Sequence, residues 1–232
     1  MPAKNRVKIY VEGGYYHIYN RGVDKRDIFL DEQDYGVFLS YLKEYLLPKD
    51  EVGLRGKLSD PNVSYNEKEK ILKQLRLNNF AGEITLLAYC LMPNHFHFFI
   101  KQKSADSIDK FMQSLATRYT MYFNKKHKRL GFLYQDTYKA VFVTSEPQFI
   151  YLSKYIHKQA LATKGPTLRG WDEKQPSSFG EYIGQRKTEW VAPEDVLFYF
   201  SKSNSKLSYK SFVLEDISED EAIILDSIML ED

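Results

Sequence analysis

Two β-rich apolar runs separated by one turn constrain the fold of this chain more than any other feature. Ile84 to Leu91 is apolar apart from one threonine, Pro93-Asn94 supplies turn residues, and His95 to Lys101 is rich in aromatic residues. Runs of this length and composition on either side of a turn predict a β-hairpin. The chain is therefore expected to contain an antiparallel sheet.

The remaining pattern alternates strands with helices. Strands are predicted at Tyr15 to Asn20 and Phe132 to Thr144, and helices from Asp31 to Pro48, from Ser107 to Lys125 and from Ser145 to Thr163. Residues 49–64 are interpreted as a loop and Asn66 to Leu77 as a charged helix, which together form an insertion at 49–80. The order β, α, β, β, α, β, α is typical of a ferredoxin-like α+β fold, with an antiparallel sheet flanked by helices. One domain is expected over 1–165, followed by a C-terminal extension over 166–232.

The charges are unevenly distributed along the chain. Eight of the 31 acidic residues lie between Glu215 and Asp232, a segment without basic residues, so residues 1–214 hold all 33 lysines and arginines against 23 acidic residues. A basic body rich in tyrosine and phenylalanine suits nucleic acid, since cations meet phosphates and rings stack on bases. A well-solvated surface with an acidic tail for solubility is the alternative interpretation.

Several basic or polar side chains are candidates for contact with DNA phosphates. They follow the first strand or lie on and after the Ser107 helix: Asn20, Arg21, Arg118, Lys125, Lys126, Lys128 and Arg129. Such contacts would weaken binding with salt, at a log–log slope of about −0.7 per phosphate for single strands. The alternative is that the lysine-rich turn is only the solvated end of a helix. His17 and His127 are expected to be structural or phosphate-facing.

The histidines of the second hairpin strand form a candidate metal site. Residues i and i+2 of a strand share a face, so His95 and His97 project together while Phe96, Phe98 and Ile100 line the other face. Two neighbouring imidazoles suit a transition metal. The alternative is two histidines placed by chance on a half-buried strand.

A tyrosine of the last predicted helix is a candidate nucleophile. Tyr155 and Gln159 are four residues apart, so they share one side of a helix. A phenol with a pKa of about 10 attacks poorly at neutral pH unless a nearby cation or metal assists it. Tyr151, one turn earlier, is the rival nucleophile, and simple packing is the alternative for either tyrosine.

Three segments together resemble the single-tyrosine HUH transposases, which include insertion-sequence and REP-associated tyrosine transposases. The segments are Tyr-His-Ile-Tyr-Asn-Arg-Gly at 16–22, Leu-Met-Pro-Asn-His-Phe-His-Phe-Phe-Ile at 91–100 and Tyr-Ile-His-Lys-Gln at 155–159. The resemblance covers residues 14–165 and extends more weakly over 176–184. It implies a ferredoxin-like HUH domain.

The resemblance also implies a reaction. His95, His97 and Gln159 would bind Mg²⁺ or Mn²⁺, and Tyr155 would attack a phosphate of single-stranded DNA. The products would be a 5′-phosphotyrosine link and a 3′-hydroxyl, which later reverses the reaction on a new strand. The implied function is a transposase that cleaves and rejoins DNA at hairpin-flanked sites. Because the ligand set contains nitrogen donors, Mn²⁺ should suit it at least as well as Mg²⁺.

The residues after Tyr155 distinguish two branches of this family. REP-associated members typically have Asn-Pro where this chain has Gln159-Ala160, and the glutamine is typical of insertion-sequence members. In the insertion-sequence branch, dimers can pair the tyrosine of one subunit with the histidines of the other. A homodimer is therefore an open alternative to a monomer.

Two other functions stay open at this point. One is a domesticated DNA-hairpin-binding protein without catalysis, and the other is a metal-dependent phosphodiesterase that uses His95 and His97 with water as nucleophile. The presence of both Tyr155 and Gln159 favours the transposase. The N-terminus has no secretory pattern, and the longest apolar stretch, Ile84 to Met92, is far shorter than the ~20 residues of a membrane helix. A cytoplasmic, nucleoid-associated protein with no membrane partner is expected.

Overall fold

The computed structural model describes residues 10–162 and 175–228 of the chain. The strands are β1 (Tyr15–Arg21), β2 (Ile84–Met92), β3 (His95–Gln102) and β4 (Lys139–Phe142). The helices are α1 (Glu32–Leu46), α2 (Glu51–Ser59), α3 (Tyr65–Arg76), α4 (Ser107–Lys126), α5 (Glu146–Ala162), α6 (Phe179–Tyr182), α7 (Glu194–Leu197), α8 (Tyr209–Leu214) and α9 (Glu219–Asp226).

The four strands form one sheet in the order β2-β3-β1-β4, and each neighbouring pair is antiparallel. The hairpin formed by β2 and β3 turns at Pro93-Asn94, as the sequence predicts. Strands and helices alternate in the expected order, with β1 and β4 completing the sheet on the other side of β3. The predicted α+β fold, an antiparallel sheet flanked by helices, is confirmed.

One face of the sheet is covered by α1 and α4, and this packing is called the α1/α4 layer. Phe96, Phe98 and Ile100 of β3 point into it and are almost fully buried. The ring of Phe38 on α1 lies 5.7 Å from that of Phe96 and 6.1 Å from that of Phe98. Full burial of such a side chain stabilises the fold by about 1.5–3 kcal/mol.

The opposite face is covered by α5 together with the C-terminal segment 175–228, and this packing is called the α5 layer. Ile156 of α5, Phe99 of β3 and Tyr209 of α8 belong to its apolar cluster. The same face buries the imidazoles of His17 and His97. A strand exposes successive side chains to opposite faces, so Phe98 and Phe99 serve different layers.

Two predicted elements differ from the structure. The interpretation of 49–64 as a loop is wrong for α2, which forms despite Gly53 and Gly56 because the Asp50 carboxylate accepts a hydrogen bond from Gly53 N at 2.9 Å and the helix packs on α3. The strand predicted from Phe132 to Thr144 is regular only over β4. Before β4, the Asn20 side chain donates to Asp136 O at 3.1 Å, which interrupts the backbone ladder.

The C-terminal segment adds short helices to the α5 layer. Helix α9 lies in the acidic tail, with a capping box between Ser218 and Glu221 and with Leu225 buried. The domain boundary expected at residue 165 lies outside the described residues. No helix within 10–162 or 175–228 is long and apolar enough to cross a membrane.

Candidate active site

Three rings meet where α5 packs on the sheet: His17 of β1, His97 of β3 and Tyr155 of α5. They are called the His–Tyr cluster. The planes of the two imidazoles are 19° from parallel, with centroids 5.1 Å apart. The Tyr155 ring packs edge-on against both, 5.4 Å from His97 and 6.2 Å from His17. Tyr155 is only 6% exposed, so the cluster lies at the interface between sheet and helix.

Strand alternation and register place the two histidines side by side. Tyr16 and Ile18 face the α1/α4 layer, so His17 between them faces the α5 layer. In the antiparallel pairing of β1 with β3, Tyr19 is opposite His97 and His17 is opposite Phe99. His17 and His97 are therefore diagonal neighbours on one face, within reach of each other's side chains.

Hydrogen bonds connect the two imidazoles to the C-terminal segment. His17 Nε2 lies 2.9 Å from His97 Nδ1, and His17 Nδ1 lies 2.9 Å from the main-chain oxygen of Ile228. His97 Nε2 is buried and has no hydrogen-bond partner among residues 10–162 and 175–228. Buried polar atoms are nearly always paired, so this nitrogen calls for a ligand to explain it.

The environment of His97 keeps its imidazole neutral. Burial lowers the pKa of His97 well below 6.5, and the neighbouring charges of His17, His95 and Arg21 act in the same direction. A neutral imidazole has one nitrogen with an available lone pair, which is the form that binds metals. The unpartnered Nε2 therefore fits a metal ligand.

His95 lies next to His97 at the start of β3, with the two ring centroids 4.9 Å apart and the rings perpendicular. Its Nδ1 is 2.5 Å from Asn94 Oδ1, and Asn94 Nδ2 donates to Lys25 O at 3.1 Å. Since a carbonyl only accepts, the amide orientation is set, and His95 Nδ1 must carry the proton. In a neutral imidazole this leaves the lone pair on His95 Nε2.

Helix α5 carries Tyr155 and Gln159. It begins where Gln148 N donates to Ser145 Oγ at 3.3 Å, while Gln148 Oε1 accepts from Thr144 N at 2.8 Å. Gln159 follows Tyr155 by about one turn on the same side of the helix and is half-buried. Within 10–162 and 175–228, no three His, Cys, Asp or Glu side chains cluster as a metal site would require. The expected ligand set contains only two residues of these types, His95 and His97, because its third member is Gln159.

Two expected DNA contacts lie beside the histidines. Arg21 is opposite His95 in the pairing of β1 with β3. Asn20 is 8% exposed, and its Oδ1 accepts from Arg21 N at 2.9 Å. The guanidinium of Arg21 contributes to the positive potential at His97. This end of the sheet therefore combines the predicted ligand residues with a cation.

The basic turn after α4 reaches the same end of the sheet from the other layer. Lys126 Nζ donates to Asp31 at 2.6 Å and to the buried Asp34 at 2.8 Å, just before and within α1. Desolvation by burial acts to lower the pKa of Lys126, but the hydrogen bonds to Asp31 and Asp34 outweigh it, so the pKa is raised. His127 is paired with Asp34 as well, 3.0 Å away. The charge of Lys126 is thus shared with two carboxylates, whereas Lys125 and Lys128 are exposed.

The two expected arginines of α4 and its following turn have partners inside the chain. Arg118 lies 2.7 Å from Glu44 and its guanidinium stacks 3.7 Å from the centroid of Tyr41, near the far end of α1. Arg129 donates to Asn124 at 3.2 Å. Arg118 is therefore separated from the basic turn, and all of these contacts to DNA stay predictions.

Sequence reasoning missed two features of the site. His17 was expected to be structural or phosphate-facing; it is buried, and its contacts with His97 and Tyr155 were not predicted. Lys154, next to Tyr155, is 1% exposed and pairs with Glu221 of α9 at 3.0 Å. Strand alternation could have placed His17 on the same face as Tyr15 and Tyr19. No local pattern indicates the partner of Lys154, because Glu221 is 67 residues away.

One comparison with known proteins, that with a family model, agrees with the motifs. The family model described as "Transposase IS200 like" matches residues 61–159, which include His95, His97, Tyr155 and Gln159. None of the curated proteins matches the chain.

Among solved structures, a REP-associated tyrosine transposase bound to a REP hairpin shares 13% identity over 93% of this chain and all of its own, with a TM-score of 0.47. A candidate transposase from Deinococcus radiodurans R1 shares 17% identity over 68% of this chain and 97% of its own, with a TM-score of 0.28. The match over residues 61–159 confirms the resemblance predicted from the motifs, that of an IS200-like, single-tyrosine transposase.

Proposed function

We propose that this chain is a metal-dependent transposase that cleaves and rejoins single-stranded DNA beside hairpins, with Tyr155 as nucleophile. One observation carries the proposal: the Tyr155 ring packs 5.4 Å from His97, whose buried Nε2 has no hydrogen-bond partner in the described part of the chain. A buried histidine with a purely structural role normally has both ring nitrogens paired. A histidine that binds a metal keeps one nitrogen for the ion, and an adjacent tyrosine is then placed to act as nucleophile.

The proposed ligands are His95, His97 and Gln159, and the ion is Mg²⁺ or Mn²⁺. Both histidines have a hydrogen-bonded Nδ1, an arrangement that leaves Nε2 to bind and orients the ring. Gln159 would contribute its side-chain oxygen. A divalent ion held there would stabilise negative charge on the phosphate and on the leaving oxygen.

Tyr155 would carry out the bond exchange. Its phenolic oxygen forms a bond to phosphorus while the bond from phosphorus to the 3′-oxygen breaks, and the phenolic proton is balanced by the proton that the 3′-hydroxyl gains. The product is a 5′-phosphotyrosine, and the reverse reaction on another 3′-hydroxyl rejoins the DNA. One phosphodiester is exchanged for another, so no external energy source is needed.

The DNA would bind at the end of the sheet where β3 begins. Arg21 and the basic turn both lie there, and residues 1–214 carry a surplus of ten basic residues. Single-stranded DNA held by these cations would reach the His–Tyr cluster past the half-buried His95. Hairpin recognition by this surface is part of the proposal and follows from the family resemblance.

A covalent-adduct assay tests the function. The full chain with Mn²⁺ is incubated with labelled single-stranded oligonucleotides from the DNA flanking its own gene, hairpins included, and the products are separated on a denaturing gel. We expect a DNA–protein band that is absent with Tyr155→Phe and His97→Ala. Tyr151→Phe is the matched control, since Tyr151 lies one turn away and stacks on Phe212 instead.

The other outcomes separate the alternatives. An adduct that disappears with Tyr151→Phe and persists with Tyr155→Phe would overturn the assignment of the nucleophile. Cleavage without an adduct would indicate a phosphodiesterase that uses water. Hairpin binding with neither product would indicate a DNA-binding protein that does not use the site.

A further inference from the structure

His17 is the one member of the His–Tyr cluster to which the proposed reaction gives no task. It is 1% exposed, and both of its ring nitrogens are hydrogen bonded. Nδ1 faces the main-chain oxygen of Ile228, and Nε2 faces Nδ1 of His97, each at 2.9 Å. A neutral imidazole donates from one nitrogen and accepts at the other. The partner of its first nitrogen therefore decides whether its second nitrogen donates to the neighbouring ring or accepts from it.

The chemistry of these partners assigns the protons. A carbonyl oxygen only accepts, so His17 Nδ1 carries a proton and donates it to Ile228. A neutral His17 then has its lone pair on Nε2, which accepts from His97 Nδ1–H. His97 Nε2 is consequently the bare nitrogen.

The opposite assignment is unfavourable. If His17 carried both protons, its Nε2 would donate to His97 Nδ1 and the remaining proton of a neutral His97 would lie on Nε2. That N–H would be buried without an acceptor, next to a buried cation. Both arrangements leave His97 Nε2 unpaired, but the one with His97 protonated on Nδ1 buries no cation and leaves at Nε2 a lone pair that a metal ion can use.

We propose that His17 is a positioning residue for the metal site: it accepts the Nδ1 proton of His97 and thereby selects the tautomer whose Nε2 lone pair is available beside Tyr155. The main-chain oxygen of Ile228 fixes the tautomer of His17 in turn, so the C-terminal segment forms the outer end of this relay. The inference rests on the proposed role of His97 as a ligand.

A second contact supports the role. The Tyr155 ring packs edge-on against both imidazoles, so the pair also forms the surface on which the proposed nucleophile rests. A leucine at position 17 would fill part of the volume but would leave His97 Nδ1 without an acceptor. A glutamine can place its side-chain oxygen near the position of the imidazole Nε2 and accept the same proton.

The experiment compares the full-length protein with His17→Leu and His17→Gln. Long-range ¹⁵N–¹H correlation spectra of the metal-free proteins report which nitrogen of His97 carries the proton, with His97→Ala identifying the signal. Mn²⁺ affinity is measured by electron paramagnetic resonance. Loss of an outer-shell partner of a histidine ligand typically weakens metal binding about 10–100-fold.

We expect a proton on Nδ1 and a bare Nε2 for His97 in the wild type. His17→Leu should lose this preference and bind Mn²⁺ about 10–100-fold more weakly, and His17→Gln should restore most of both properties. A wild-type His97 protonated on Nε2 would overturn the inference, as would a folded His17→Leu with unchanged tautomer and affinity. If His17→Leu does not fold, the wild-type and His17→Gln spectra decide.

The same measurements separate this inference from the proposed function. If His97→Ala binds Mn²⁺ as tightly as the wild type, the metal assignment is wrong. The tautomer of His97 in the metal-free protein is independent of that result. It still shows whether His17 selects the proton position.

Discussion

The α1/α4 layer is packed mostly with apolar and tyrosine rings and keeps its buried carboxylate, Asp34, at the start of α1, whereas the α5 layer buries two imidazoles that project from the strands themselves. In the first layer the buried hydroxyl of Tyr119 donates to Ile28 O at 2.6 Å. In the second, His17 connects His97 to the C-terminal segment, and Lys154 is paired with Glu221. Both layers rest on the same strands.

The difference shows how one sheet can serve stability and chemistry at once. None of the proposed reacting groups points into the α1/α4 layer, so its side chains serve packing and the pairing of Asp34. The α5 layer has to satisfy each buried polar group, and His97 Nε2 is left over at the proposed metal site. Substitutions in the two layers should therefore fail in different ways.

The largest expected effect is a complete loss of activity that mixing does not repair. The rings of Tyr155 and His97 of one chain are in contact, so the proposed site can be assembled within a single chain. A mixture of Tyr155→Phe and His97→Ala should therefore form no adduct in the denaturing-gel assay, as each variant alone forms none. Recovery of adduct in the mixture would show that subunits of a dimer exchange these residues, and wild type mixed with either variant is the positive control.

The next largest effect tests the α1/α4 layer. Phe98→Ala removes a fully buried ring and should lower the free energy of unfolding by about 3–5 kcal/mol in urea denaturation. Phe98→Leu, the matched control, leaves a smaller cavity and should lose less. Mn²⁺ affinity of the folded protein should be unchanged in both, and a weakened affinity would mean that the two layers are not independent.

Glu221→Ala tests the buried ion pair of the α5 layer. The Lys154 side chain is 2% exposed and the Glu221 side chain 12%, so removal of the carboxylate leaves a buried charge unpaired and should cost about 3 kcal/mol of unfolding free energy. The double variant Lys154→Met with Glu221→Leu should regain most of that loss. Equal destabilisation in the single and double variants would show that the capping of α9 by Glu221, rather than the pair, is responsible.

Acid should destabilise the α5 layer through its buried histidines. Burial lowers the pKa of His157 to about 3, with Arg186 acting in the same direction, and its nitrogens bond to Tyr209 and Ser178. A depressed pKa means that the unfolded chain takes up the proton first, so stability is present above pH 6.5 and is lost as the pH falls toward 3. The expected loss is about 1.4 kcal/mol per pH unit for each such histidine.

Urea denaturation between pH 7 and pH 5 measures this dependence. His157→Gln should reduce the slope by the contribution of one proton, because the amide does not titrate. His97, whose pKa burial also lowers, should account for a further part of the slope. A stability independent of pH over this interval would contradict the burial of both imidazoles in the folded state.

The smallest expected effect concerns the start of α1. The Asp31 carboxylate accepts from Asp34 N at 3.0 Å and also pairs with Lys126. Asp31→Ala should lower the unfolding free energy by about 1 kcal/mol through loss of the cap. Asp31→Ser keeps a capping oxygen and removes the ion pair, so a loss as large as that of Asp31→Ala would assign the effect to Lys126 instead.

Much of the fold could be predicted because its elements have local signals. The β2–β3 hairpin, α4 and α5 follow from apolar periodicity and from turn and cap residues within a few positions. Helix α2 was missed because its two glycines disfavour a helix while its packing on α3 supports one. The length of β4 was overestimated because the Asn20 side chain, distant in sequence, interrupts the ladder.

By itself, the sequence determined that His95 and His97 share a strand face and that Tyr155 and Gln159 share a helix side, since both depend only on the periods of strand and helix. Only the tertiary structure decided that His17 meets His97, that Ile228 meets His17 and that Glu221 meets Lys154. These partners are 80, 211 and 67 residues apart. Contacts over such separations arise from strand order and from the docking of the C-terminal segment, which no local pattern of residues encodes.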